Sequence, residues 1–168
     1  MIICLIGKQR AGKDTTADYL VAKYGFTKVS LAGKVKEIAR DLFGMEEKQR
    51  GLLIDIGMKM REIDPDVWVK YVIRTIREQG LKDVVIPDVR FLNEVDHFQR
   101  LNAVFARVSA TYPVRSKREG YTPEYEFDRS EIELDGLIPD YTIPNNSTLA
   151  ALYWRIDDMM ADLGRGIR

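Results

Sequence analysis

The stretch Ile2-Ile3-Cys4-Leu5-Ile6-Gly7-Lys8-Gln9-Arg10-Ala11-Gly12-Lys13-Asp14-Thr15-Thr16 decides how this chain is read. Its apolar run predicts a buried strand over Ile2–Ile6. A helix-period stretch from about Lys13 to Tyr24 follows, with Ala17, Leu20, Val21 and Tyr24 on one face and Gly25 as its stop. Between the two lies Gly7-x4-Gly12-Lys13, in the strand-to-helix setting that a phosphate-binding loop requires. The glycines let backbone N–H groups turn inward on phosphate oxygens. The helix N-terminus adds partial positive charge, and Lys13 reaches the terminal phosphates of a bound nucleotide. The residues expected to hold ATP here are Gly7, Lys8, Arg10, Ala11, Gly12, Lys13, Asp14, Thr15 and Thr16. Asp14 stands where the motif carries a hydroxyl for Mg²⁺. Either it acts through a Mg²⁺-bound water or it caps the helix, with Thr15 left to contact phosphate.

Beyond the loop, short apolar runs alternate with helical stretches, the pattern of a parallel sheet covered by helices. Strands are expected at Phe26–Ser30, Asp83–Asp88, Ala103–Ala110 and Asp140–Ile143. Helices are expected at Leu31–Phe43 (with Val35, Ile38, Ala39 and Leu42 facing inward), Asn93–Leu101 and Ser147–Leu163. A helical region from Lys48 to Gln79, broken at Asp64-Pro65, is far longer than a simple crossover needs. It reads as an inserted subdomain, about residues 46–80, of the kind that binds substrate. The segment from Thr111 to Pro139 mixes proline, glycine and charge, and reads as a mobile lid.

Composition sets the outer bounds. The 168 residues suit one domain, and the 26 basic and 26 acidic side chains cancel, so no chain-wide footprint for nucleic acid exists. The one cysteine, Cys4, excludes a disulfide framework and reads as a buried hydrophobe. The one histidine, His97, has no metal-ligating partner in the pattern and reads as structural or surface. No run approaches the ~18 apolar residues of a membrane span, so the expectation is a cytoplasmic protein, monomer or homodimer, working on small molecules.

The second chemical signal is Val84-Val85-Ile86-Pro87-Asp88-Val89-Arg90, an apolar strand ending in an acid with an arginine two residues on. Ligands of open parallel sheets bind at the carboxyl ends of the strands, so Asp88 and Arg90 are expected in one crevice with Lys13. A Mg²⁺-organising acid and a cation on the transferring group suit phosphoryl transfer. Lys13, Asp88 and Arg90 are therefore the candidate catalytic residues, and Asp14, Thr15 and Asp88 the candidate Mg²⁺ contacts. Arg115 and Arg118, beside Lys117, are expected to close over ATP from the lid.

These residues also carry a family resemblance. The run from Gly7 to Leu20 resembles the phosphate loop and following helix of phage-type deoxynucleoside monophosphate kinases, whose loop shares Gly-Lys-Asp-Thr. The likeness continues, in family order, through Leu31-Ala32-Gly33-Lys34-Val35-Lys36, Arg61-Glu62-Ile63-Asp64-Pro65-Asp66-Val67-Trp68-Val69 and Asp88-Val89-Arg90-Phe91-Leu92-Asn93-Glu94. It ends at Ser130-Glu131 and Tyr141-Thr142-Ile143-Pro144-Asn145-Asn146-Ser147. The resemblance implies a P-loop fold with a five-stranded parallel sheet, an acceptor-binding helical insertion, a short lid, and transfer of the ATP γ-phosphate to a nucleoside monophosphate. It implies acceptor contacts from Lys36, Arg61, Asp88 and Arg90, and places Asn145 near adenine. The chain carries Asp128-Arg129 where the family pattern has a histidine, and it is shorter than the best-known members. Phosphomevalonate kinase and dephospho-coenzyme A kinase share parts of the pattern, and a nucleotide-binding module without turnover is the reading from another class.

Overall fold

The computed structural model describes residues 1–165, and their architecture follows from one strand. Strand β1 (Ile2–Ile6) is buried on both faces. Alternate side chains of a strand point to opposite faces. Cys4 and Ile6 accordingly join one hydrophobic core, and Ile3 and Leu5 the other. The first core is closed by helices α2 (Leu31–Phe43), α3 (Arg50–Ile63), α4 (Val67–Glu78) and α5 (Leu92–Gln99). The second is closed by α1 (Lys13–Tyr24) and α8 (Leu149–Met160). Strands β2 (Thr27–Lys28), β3 (Val84–Ile86), β4 (Val104–Ser109) and β5 (Tyr141–Pro144) complete a five-stranded sheet in the order β2-β3-β1-β4-β5. Every pairing is parallel.

Several boundaries differ from the sequence expectation, each for a physical reason. β2 has two residues rather than five, because it lies at the sheet edge and Ser30 already serves as the N-cap of α2. β3 stops at Ile86, since Pro87 has no N–H to offer the ladder. Asp88 therefore follows the strand rather than ending it. In α2 the buried residues are Leu31, Val35 and Ala39, while Leu42, expected inside, is exposed near the Gly44 stop. α8 starts after Thr148, whose hydroxyl accepts the Ala151 N–H. Cys4 is fully buried, and His97 lies at the surface beside Asp66, 3.2 Å away.

The segment from Thr111 to Pro139 folds into two single-turn helices, α6 (Tyr112–Arg115) and α7 (Arg129–Ile132), with a 3₁₀ turn at Pro123–Tyr125 between them. It is tied down at many points. Arg115 is almost fully buried in an ion pair with Glu126 at 2.6 Å. Arg107 of β4 donates to the carbonyls of Leu134 and Leu137, both at 2.7 Å.

The parallel sheet brings the end of β1 hard against β4. Gly7 has φ +130°, and a Cβ there would lie 2.2 Å from the Val108 carbonyl oxygen. The expected outcome for Gly7→Ala is a loss of at least about 2 kcal/mol of stability, from positive-φ strain plus a clash with immovable backbone. A urea titration checks this, and an unchanged midpoint would refute it.

Candidate active site

A cleft of about 680 Å³ opens at the carboxyl ends of β1 and β3, bordered by the loop, by α2 and α3, and by the segment before β5. Its lining has eight cationic side chains (Arg10, Lys13, Lys48, Arg50, Arg61, Arg90, Arg118 and Arg129) against four acids (Asp14, Asp88, Asp128 and Glu131). A chain with no net charge has thus concentrated cations where it is concave. Such a site gathers anionic ligands. Both ends are partly apolar. Leu53, Ile54, Met58, Trp68 and Phe91 lie on the α3–α4 side, and Leu149 and Leu152 beyond the loop on the α8 side.

The loop turns through two left-handed residues, Arg10 and Gly12, before α1 begins. Gly12 packs so closely that a Cβ would meet the Asn145 Nδ2 at 2.3 Å. That nitrogen donates to the Ala11 carbonyl at 2.8 Å, and Arg118 donates to the carbonyls of Arg10, Ala11 and Asn145. These two side chains fix the loop's outward-facing carbonyls, which favours N–H groups on the inner face. Lys13 is buried and donates to the carbonyls of Gly7 (2.6 Å) and Lys8 (2.9 Å). Its ammonium is pushed down to about 7, first by burial and then by the positive charge of Arg90, against the pull of Glu131, Asp14 and Asp88. Lys48 is lowered too, by burial and by the cations Lys36, Arg10 and Arg50.

Three carboxylates organise the rest. Asp88 accepts hydrogen bonds from Ser30 Oγ (2.6 Å), Leu31 N (2.9 Å) and Ala32 N (2.8 Å), so it anchors the N-terminus of α2 to the end of β3. Glu94 is buried and accepts from Arg61 (2.8 Å), Arg90 N (2.8 Å) and Phe91 N (3.2 Å). Burial pushes its carboxyl up, against the lowering effect of those donors. Glu131, fully buried, meets Gln9 N at 2.5 Å, Arg90 at 2.8 Å and Arg50 at 3.4 Å. Arg61 also donates to the Gly57 carbonyl at 3.2 Å and lies over the Phe91 ring at 4.5 Å, with its Nε unpartnered.

The structure gathers Arg10, Gly12, Lys13, Asp14, Thr15, Arg61, Asp88, Arg90, Arg118 and Asn145 around the one cleft. Gly7 and Ala11 contribute backbone to the same loop. Five residues lie otherwise than the sequence predicts. Thr16 is fully buried with an unpartnered hydroxyl and does not border the cleft. Its side chain points into the fold from the first turn of α1. Lys8 turns away to Asp135 at 2.8 Å. Lys36 lies on the exposed face of α2, off the cleft wall. Arg115 is held by Glu126 and by the Gln9 and Ala110 carbonyls, so it braces the fold rather than reaching across the site. Asp14 makes no capping bond and pairs instead with Lys28 at 2.9 Å.

Glu131, Arg50, Gln9, Lys48 and Glu94 escaped the sequence reading as site residues. Glu94 and Glu131 lay inside quoted blocks of the family pattern, which was the available signal. Gln9 lay inside the quoted loop as well, whereas Arg50 and Lys48 had no signal, since a lone cation in a helical stretch reads as solvated surface.

The cleft offers few protein ligands for a Mg²⁺ ion. Among the described residues no group of three or more His, Cys, Asp or Glu converges on a point. Thr15 and Asp14 do face the cleft beside the loop. That fits a Mg²⁺ carried largely by nucleotide phosphates and water, with at most one or two protein ligands. Asp88, spent on α2, is a poor third.

Comparison with known proteins agrees with this geometry. The sequence model of the family described as deoxynucleotide monophosphate kinase matches residues 1–56. A protein of Acanthamoeba polyphaga mimivirus, named provisionally as a deoxynucleotide monophosphate kinase, is 25% identical, across 93% of this chain and 94% of that protein. Among solved structures, shikimate kinase from Acinetobacter baumannii in complex with shikimate superposes with a TM-score of 0.58 at 16% identity, over 99% of this chain and 95% of that one. The Mycobacterium tuberculosis APS kinase CysC, in complex with AMPPNP and APS, gives 0.58 at 8% identity, over 97% and 96%. At such identities the structural likeness speaks for the fold. The fold is that of the P-loop kinases, and in sequence the chain resembles the deoxynucleotide monophosphate kinases.

Proposed function

We propose that the protein transfers the γ-phosphate of ATP to a nucleoside or deoxynucleoside monophosphate, releasing ADP and the diphosphate. The observation that carries this reading is the cleft itself: cation-rich in the middle, apolar at both ends, with Lys13 between them. Two nucleotides set head to head, phosphates inward, have that distribution of charge. The matched family and the mimivirus relative support a nucleotide acceptor over phosphomevalonate or dephospho-coenzyme A.

In this reading the loop amides and Lys13 hold the β- and γ-phosphates of ATP, and the adenine lies near Asn145, Ser147 and Leu149. Helices α3 and α4 serve as the acceptor-binding insertion, and the segment from Thr111 to Pro139 as the lid. Arg90 and Arg61 grip the acceptor phosphate, using the planar fork that lysine lacks. Glu94 supports both at once, through the Arg61 guanidinium and the Arg90 backbone. Thr15 and Asp14 would lie beside a Mg²⁺ brought in with the nucleotide, which would supply neutralising charge for the transferring group. Asp88 acts by setting the α2 N-terminus, whose Leu31 and Ala32 form part of the cleft wall.

The test is ADP release with a panel of ribo- and deoxynucleoside monophosphates, phosphomevalonate and dephospho-coenzyme A. A nucleoside monophosphate should give the highest kcat/KM. Lys13→Ala should lower kcat at least about 100-fold while the melting profile stays cooperative, because a preorganised charge on the transferring group is lost. Preference for a non-nucleotide acceptor, or near-normal turnover by the variant, would overturn the assignment.

The lowered Lys13 gives a second outcome. At pH 8 an ammonium that titrates near 7 is mostly neutral in the free protein. A polyphosphate beside it restores the charge, so binding takes up a proton. The ATP binding enthalpy at pH 8 should therefore vary between buffers of different ionisation enthalpy, and Lys13→Arg should abolish that variation. A buffer-independent enthalpy for the unaltered protein would refute this.

A further inference from the structure

The kinase reading uses the loop on one side and Arg90 on the other, and a single carboxylate joins them. Glu131 sits on α7, a helix of one turn held by Asp128, which accepts the Ser130 N–H at 2.8 Å. The Glu131 side chain is fully buried, yet it borders the cleft. One oxygen takes the N–H of Gln9, inside the phosphate loop, at 2.5 Å. The other takes Nη1 of Arg90 at 2.8 Å, with Nη2 of Arg50 further off at 3.4 Å. The Gln9 side chain closes the circle by accepting from Arg50 at 2.9 Å and donating to the Thr122 carbonyl at 2.9 Å.

We infer that Glu131 is a positioning residue for phosphoryl transfer, holding the Arg90 guanidinium in register with the phosphate loop so that acceptor and donor phosphates meet. The inference rests on the kinase reading above. Arg90 directs Nη1 to Glu131 and to the Ser130 carbonyl at 3.1 Å, and among the described residues Nε and Nη2 are left for a ligand. A guanidinium anchored by one nitrogen keeps its plane while its other donors face the substrate. Anchor and loop share one rigid carboxylate, so a shift of the loop moves Arg90 with it. A surface ion pair has neither property. Its partners are solvated and free to separate, and its removal is nearly silent.

The test is a double-mutant cycle read in kcat/KM for the acceptor. Glu131→Gln keeps the shape, but its amide oxygen can serve the Gln9 N–H or Arg90, not both, and its NH₂ faces a donor. We expect Glu131→Gln to lower kcat/KM about tenfold or more, and Arg90→Ala about 100-fold or more. Combining them should cost no more than about threefold beyond Arg90→Ala alone, since interacting residues are non-additive. Losses that multiply fully would overturn the inference, because a residue that only stabilised the fold would act independently of Arg90. Should Glu131→Gln fail to melt cooperatively, Glu131→Asp takes its place in the cycle, with the same two outcomes. Turnover of no nucleoside monophosphate by the unaltered protein would instead bring down the kinase reading, and this inference with it.

Discussion

The molecule depends on a reversal of chain in the middle of its sheet, where no side chain fits. β1 lies between β3 and β4, and its last residue must lead into α1 across six residues, Gly7 to Gly12. Gly7 has the Val108 carbonyl against it, and Gly12 has the Asn145 amide. A Cβ at Gly7 would meet fixed backbone, and one at Gly12 would displace the Asn145 amide from the Ala11 carbonyl it holds. The compact turn is what buries Lys13, aims it at its own loop carbonyls, and leaves the N-terminus of α1 open to the cleft. β4 and the β5–α8 connection therefore shape the phosphate loop as much as its own sequence does.

A second constraint is electrostatic. Packing eight cations around one cleft in a neutral chain would repel them apart, so the fold interleaves carboxylates at structural joints. Asp88 ties β3 to α2, Glu94 ties α3 to α5, and Glu131 ties the segment before β5 to the loop. Each accepts at least one backbone N–H as well as a side chain, and so holds an anion in place with little loss of its hydrogen bonding. Removing water from these acids costs stability, and the helix ends and arginines they satisfy offset it.

The loop was legible in the sequence because its signal is local. A strand, two glycines and a lysine within thirteen residues have few other uses, and the two-faced burial of β1 follows from its unbroken apolar run. Asp88 and Arg90 were legible as cleft residues by their place after a buried strand. Which helix Asp88 would serve was not, since α2 precedes it by almost sixty residues (Ser30 to Asp88, 58 apart). Glu131 and Gln9 are 122 residues apart, and α7 is too short for any periodicity to mark Glu131 as inward. Arg115 and Arg118 look alike in the sequence. Only the fold sends one to Glu126 and the other to the loop carbonyls.

The pairing pattern of the cleft's cations carries the argument one step further. Arg50, Arg61 and Arg90 each have a carboxylate partner within 3.4 Å, whereas Lys13 and Arg118 bond to backbone carbonyls. An arginine can surrender one donor to a fixed acid and still present others, so pairing orients it without disarming it. A lysine has one compact charge, and a carboxylate beside it would compete with any anion that binds there. The fold gives Lys13 carbonyls instead, and burial, followed by the positive charge of Arg90, lowers it to about 7. The division between the three carboxylate-paired arginines and the carbonyl-bound Lys13 follows from the chemistry of the two side chains, while Arg118, which serves the loop backbone, needs no carboxylate either.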